Sequence, residues 1–318
     1  MSRKLLSYTA IGLILGSTAI ADVPKVAVDI APVHSLVSRV MEGVGSPKLI
    51  IPAGASPHEY SLRPSEAKSL QDADMVIWMG EDLAPWMENS IEKLSKNAEV
   101  ITLLEESDTK LLDFREGALF EEHDHGDHDD HDDHDDHDDH DDHDDHDHDK
   151  DHDDHDDHDD HDDHDGHAHG EHDPHAWLSI ENAQTWLNLV AGKLSAADPD
   201  NAGVYFANAA AAREEINDLV KEVNSILEPV RGRNFVVFHD AYQYFETSFD
   251  FPAAGAISLG DATDPSAARI AEIQDRVKDE GINCVLSEPQ YNANLVATVL
   301  SGTDAKTGVI DPLGLGLE

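Results

Sequence analysis

The stretch from Asp198 to Val230, DPDNAGVYFANAAAAREEINDLVKEVNSILEPV, decides how the chain is organised. Asp198-Pro199 reads as a helix start, because proline suits the first helical position. After Gly203 neither glycine nor proline interrupts the run until Pro229. Ile216, Leu219, Val220, Val223, Ile226 and Leu227 keep an apolar helical face over its second half. One helix of roughly 30 residues would span about 45 Å at 1.5 Å per residue, a rod too stiff for the wide hinge motion that a flexible linker allows. A break near Gly203 would give two helices instead and would leave the number of lobes around them unchanged. On the N-terminal side, short β-rich runs at 25–30, 48–51, 75–79 and 99–103 alternate with helical stretches at 33–41, 64–71 and 84–96. On the C-terminal side, runs at 235–238, 254–258, 284–286 and 308–310 alternate with helical stretches at 241–248, 265–280 and 292–300, with Asp264 as N-cap and Pro265 as first residue of the second. Such alternation is the signature of α/β layering on parallel strands. The expected fold is therefore α/β, with two small parallel-sheet lobes at 22–197 and 232–318 joined by a long helix at 198–231.

The 318 residues carry 68 acidic and 21 basic side chains, a formal net charge of -47. That is too negative to grip phosphates or anionic lipid, so nucleic-acid binding is excluded. Residues 121–173 hold 30 of the acids, one base (Lys150) and 18 of the 22 histidines. A tract at about 122–172 that repeats Asp-Asp-His with almost no apolar residue cannot bury enough surface to offset chain entropy, and a disordered loop within the first lobe is expected. A regular helix there would place mutually repelling carboxylates on every face. Residues 1–21 open with Arg3 and Lys4, turn apolar and end Ala19-Ile20-Ala21, the pattern of a secretory signal peptide with its cleavage site. The apolar run is shorter than the roughly 20 residues that span a bilayer. The mature chain is expected to be soluble outside the cytoplasm, and Cys284, the only cysteine, cannot close an internal disulfide.

Outside the tract remain His34, His58, His175 and His239. The last three sit in Ala55-Ser56-Pro57-His58-Glu59-Tyr60, Asp173-Pro174-His175-Ala176-Trp177 and Phe238-His239-Asp240-Ala241-Tyr242, each following a proline or closing a strand. Asp311 ends the last strand in Val309-Ile310-Asp311-Pro312-Leu313-Gly314. Loops at the carboxyl ends of parallel strands are where α/β sheets bind ligands. Three neutral imidazoles and a carboxylate suit a borderline divalent ion in tetrahedral geometry, above all zinc. Each histidine taken singly reads more readily as a hydrogen-bonded structural residue than as a ligand, since no short-range metal motif links the three. His34, at the start of an amphipathic helix, is expected to make only a local hydrogen bond.

Gly54-Ala55-Ser56-Pro57-His58-Glu59-Tyr60 with Leu62-Arg63-Pro64-Ser65, then Asp173-Pro174-His175-Ala176-Trp177-Leu178-Ser179, Phe238-His239-Asp240-Ala241-Tyr242 and Ile310-Asp311-Pro312-Leu313-Gly314 together resemble the metal-binding solute-binding proteins of ABC importers, in particular their periplasmic zinc-binding members. The match runs in order through nearly the whole mature chain. The resemblance implies a single rigid helix between the lobes and a metal site in the cleft, with His58 and His175 from the first lobe and His239 and Asp311 from the second. It further implies a monomeric, non-enzymatic periplasmic protein that hands Zn2+ to the membrane permease of an ABC transporter. Manganese-type relatives carry glutamate where this chain has His239, so histidine there, with a His-rich loop ahead of His175, is the zinc-type pattern. Glu288, in Ser287-Glu288-Pro289-Gln290, matches a family motif near the cleft and is read as a partner of the ligands. The family continues past Asp-Pro-Leu-Gly into a final helix, where zinc-type members often place a second cysteine that pairs with the one matching Cys284. This chain stops at Glu318, so a second lobe truncated at its C-terminus is expected. Two other classes share these features. One is a zinc buffer acting through the tract; the other is a metal-dependent hydrolase, which needs an open coordination position and a base such as Glu59, Asp240 or Glu288.

Overall fold

A computed structural model describes residues 23–115, 172–258, 266–279, 281–291 and 293–316. The leader, the tract apart from His172, and the Asp264-Pro265 helix start lie outside the described residues. The first lobe contains β1 (Val26–Val28), α1 (Ala31–Val40), β2 (Lys48–Leu49), α2 (Pro64–Asp72), β3 (Met75–Trp78), α3 (Pro85–Leu94) and β4 (Glu99–Thr102). Its strands pair in parallel in the order β2-β1-β3-β4. β1 and β3 are buried at every residue and read as unbroken apolar runs, as parallel strands covered on both faces must.

Two helices follow, α4 (Ile180–Ala197) and α5 (Ala202–Leu227). α4 is absent from the expectation above, although its signals are present. Ser179 caps it by accepting from Asn182 N at 3.2 Å, and Trp186, Leu187, Val190, Ala191 and Leu194 form one buried helical face. α5 has 26 residues, about 39 Å of helix. It is flanked by 3-10 turns at Pro199–Asn201 and Glu228–Val230. Gly203 lies in its first turn and does not divide it, so one rod follows α4 as expected. Tyr205, Ala209 and Ala212 in its first half are covered, whereas Leu219 and Ile226 of the apolar face in its second half are 50% and 64% exposed. α5 packs against both α1 and α4.

The second lobe contains β5 (Phe235–His239), α6 (Gln243–Phe249), β6 (Ala256–Ser258), α7 (Ala267–Asp279), β7 (Cys284–Ser287), α8 (Ala293–Val299) and β8 (Lys306–Val309), its strands parallel in the order β6-β5-β7-β8. The two sheets thus repeat one topology, and in each the chain direction across the sheet switches beside the first strand, where α/β sheets open a crevice. Tyr244 of α6 and Leu313 pack into the core of the first lobe. Cys284 is a half-buried free thiol, pushed up by burial. Among the described residues no helix is long and apolar enough to cross a membrane. His34 makes the local contacts expected of it, with Nε2 at 3.3 Å from the Pro47 carbonyl and Nδ1 at 3.5 Å from Ser38 Oγ.

Asp29, directly after β1, is fully buried. Its carboxylate accepts from Ile30 N at 2.7 Å and Met79 N at 2.7 Å, tying the ends of β1 and β3 together. Burial outweighs these hydrogen bonds and raises its pKa to about 7. A carboxyl with a raised folded pKa binds more protons folded than unfolded, so its contribution is present at low pH and fades as pH rises from the unfolded value of 3.8 to about 7. Asp29→Asn is expected to be less stable than wild type at pH 4 by about 1–3 kcal/mol, because Asn offers one acceptor to two N–H groups. That deficit should shrink toward pH 7. Urea unfolding across this range checks it, and a gap that stays constant with pH would show that Asp29 is ionised throughout.

Candidate metal centre

His58 stands in the loop after β2, behind Pro57, whose carbonyl accepts from Trp86 Nε1 at 2.8 Å. Ser56 Oγ accepts from the His58 backbone N–H at 3.3 Å, so the loop is braced on both sides of the imidazole. His175 is oriented by Asp173, whose Oδ1 accepts from the His175 backbone N–H at 2.9 Å and faces its Nδ1 at 2.7 Å. An aspartate two residues ahead commonly folds back on the chain in this way. His239 closes β5, and its Nδ1 lies 2.8 Å from Oε1 of Glu288, the residue that follows β7. The three rings meet edge on, His175 also packing on Trp177 and His239 on Tyr291.

A carboxylate oxygen can only accept, so Nδ1 of His175 and of His239 carries the proton and each Nε2 presents a lone pair. Those atoms converge: Nε2 of His175 is 3.4 Å from Nε2 of His58 and 3.3 Å from Nε2 of His239. One ligand atom from each of the three histidines lies within 4.8 Å of the others, the one such group among the described residues. Tetrahedral zinc with Zn–N bonds of 2.0–2.1 Å requires neighbouring nitrogens about 3.3 Å apart. The 3.3 and 3.4 Å approaches seen here match that spacing. The cavity they line, with Ser56, Glu288, Gln290 and Tyr291, has a volume of about 10 Å³, room for about one water molecule. His175 and His239 are 2% and 4% exposed, so an ion there would be screened little by solvent.

Asp311 stands apart from this group. Its carboxylate accepts from the backbone N–H groups of Leu313, at 3.0 Å, and Leu315, and from Gln290 Nε2 at 2.9 Å. Gln290 also donates to the Ala53 carbonyl of the first lobe at 3.0 Å. Glu288 takes the place expected for it, as a partner of an imidazole. The orienting role of Asp173 escaped the sequence reading, although the Asp-x-His spacing carried the signal. Tyr242, buried beside the Glu288 carboxylate, has its hydroxyl pushed far up, first by burial and then by that charge, and stays protonated.

The family model described as ZnuA, zinc-uptake complex component A periplasmic, matches residues 26–317. The high-affinity zinc uptake system protein ZnuA of Brucella abortus (strain 2308) is 46% identical over 303 residues, covering 95% of this chain and 88% of that protein. The protein of the same description from Paracoccus denitrificans (strain Pd 1222) is 47% identical over 306 residues, with the same coverage. A solved crystal structure of ZnuA superposes with a TM-score of 0.70 at 20% identity, covering 93% of this chain and 94% of that one, a likeness of fold.

Proposed function

Because the chain belongs to the ZnuA family of periplasmic zinc-uptake components, we propose that it captures Zn2+ between His58, His175 and His239 in the periplasm and passes it to the permease of an ABC importer. The observation that carries this reading is the approach of the imidazole Nε2 atoms to 3.3 and 3.4 Å, with two of the rings held in the metal-ready tautomer by Asp173 and Glu288. Zinc is cargo here, and the protein performs no covalent step. A fourth ligand is water in the small cavity, or Asp311 once it gives up its bonds to Leu313, Leu315 and Gln290. Space for about one water favours capture over hydrolysis, which needs room for an ester or peptide beside the ion. Turnover of such substrates by the zinc-loaded protein would reverse that preference. The cleavable leader proposed for residues 1–21 supplies the route out of the cytoplasm.

The tract is proposed to gather cations for the cleft. On the composition-based reading of the tract as a disordered loop, each zinc bound there must order several residues, at about 1–2 kcal/mol of backbone entropy per residue, a cost that the gathered imidazoles avoid. Its concentrated negative charge raises the local cation concentration. Titration after mild chelation is expected to find one tight zinc with several weaker ones. Deleting residues 122–171 should leave the tight ion with nearly unchanged affinity, remove the weak ones, and slow capture mainly at low salt, where charge is least screened. Loss of the tight ion on deletion would reassign the protein as a buffer acting through its tract.

A further inference from the structure

Arg115, the last described residue before the tract, reaches from the first lobe to the second. Its Nε and Nη2 donate to the two oxygens of Asp240, the former at 3.1 Å. Nη1 and Nη2 donate to the two oxygens of Glu246 on α6, at 2.8 and 3.1 Å. All three side chains are largely buried, with 16%, 8% and 6% of their surfaces exposed. A guanidinium that forks onto two carboxylates at once fixes direction as well as distance, which an ammonium cannot do.

One acceptor of this fork, and the segment that carries its donor, connect to imidazoles of the candidate site. Asp240 follows His239 directly, in a turn closed by Ala241 N donating to the His239 carbonyl at 2.9 Å. The segment that carries Arg115 is tied to the His175 loop: Asp173 N donates to the Leu112 carbonyl at 2.8 Å, and Asp113 pairs with His172 as an antiparallel bridge. Tyr244 of α6 completes the link, its hydroxyl donating to the Asp173 carbonyl at 2.9 Å and accepting from Leu112 N at 2.9 Å. The polar network therefore joins the loop of a first-lobe histidine to the loop of the second-lobe histidine, and Arg115 is its cation, facing the carboxylates of Asp240 and Glu246.

We propose that Arg115 is a positioning residue for zinc capture, its double fork onto Asp240 and Glu246 holding the His239 loop against the His175 loop so that the imidazoles are gathered before the ion arrives. The proposal rests on the zinc reading of the three histidines. A site gathered in advance spends little binding energy on ordering its ligands, and losing that order shortens the residence of the ion. Arg115 acts through other residues, one step further out than the partners of the ligands, whose loss typically costs 10–100-fold in metal affinity. The low end, about tenfold, is the expected size.

The test uses the full chain carrying Arg115→Gln, which removes the charge, and Arg115→Lys, which keeps the charge and removes the fork. Zinc loss to excess chelator is followed by stopped flow, with the Co2+ absorption spectrum of the site and the melting temperature of the metal-free protein alongside. Both variants are expected to bind one tight zinc, to release it about tenfold faster than wild type, and to show a broadened Co2+ spectrum. Wild-type release rates in both, whatever the melting temperatures, would make Arg115 purely structural and overturn the proposal. Wild-type release in Arg115→Lys alone would assign the effect to charge and overturn the fork. Should Arg115→Gln not fold, Arg115→Lys decides. A wild-type protein without a tight zinc overturns the site reading and this proposal together, whereas unchanged variant rates overturn this one only.

Discussion

Alanine at His58, His175 or His239 is expected to weaken zinc binding by more than about a hundredfold, beyond the 10–100-fold that losing an outer partner costs. Each substitution removes one of three nitrogens that already stand 3.3–3.4 Å from a neighbour. The vacancy cannot be repaired from nearby, since these three are the one group of potential ligands within 4.8 Å of one another among the described residues. Asp311→Ala should behave differently. Its carboxylate is occupied by Leu313, Leu315 and Gln290, so an effect on affinity of less than about tenfold is expected if water completes the coordination. Competition with a chromophoric chelator measures all four. A loss on Asp311→Ala as large as on the histidines would place that carboxylate on the ion, and a histidine variant with wild-type affinity would dissolve the proposed site.

Removing the acids behind the imidazoles is expected to have the next largest effect: Asp173→Ala and Glu288→Ala should each weaken zinc by about 10–100-fold. Asp173 faces Nδ1 of His175 at 2.7 Å and Glu288 faces Nδ1 of His239 at 2.8 Å. Without the acceptor, the proton can move to Nε2 and block the coordinating lone pair, and the ring is free to turn. Glu288→Gln separates these causes, because an amide oxygen still accepts from Nδ1 while the charge is gone. Affinity close to wild type in Glu288→Gln and low affinity in Glu288→Ala would assign the effect to tautomer and orientation. Equal losses would assign it to charge. Unchanged affinity in both alanine variants would show that packing against Trp177 and Tyr291 alone orients the rings.

Much of the architecture was legible because periodicity is a local property. The unbroken apolar runs of β1 and β3 announce strands buried on both faces, and Pro64 and Pro85, each at a helix start, mark α2 and α3. α4 shows how a legible signal can be missed: its serine cap and its buried face from Trp186 to Leu194 are plain in the sequence, between a motif and a linker that drew the reading elsewhere. α5 is legible as a helix, but which of its residues are covered is not. A helix displays its apolar residues in sequence without showing which of them a neighbour will cover, and small alanines are weak in any hydrophobic pattern.

The amino-acid sequence by itself determined the two parallel α/β lobes, the rod between them and the three histidines worth watching, because strand and helix patterns and residue chemistry are written within a few positions of one another. Only the tertiary structure decided that His58, His175 and His239 bring their Nε2 atoms together and that Arg115 stands behind the imidazoles. Those contacts join residues as far apart in the sequence as His58 and His239. Distance and direction across such separations are set by how strands stack and loops close, and no local pattern in the chain encodes them.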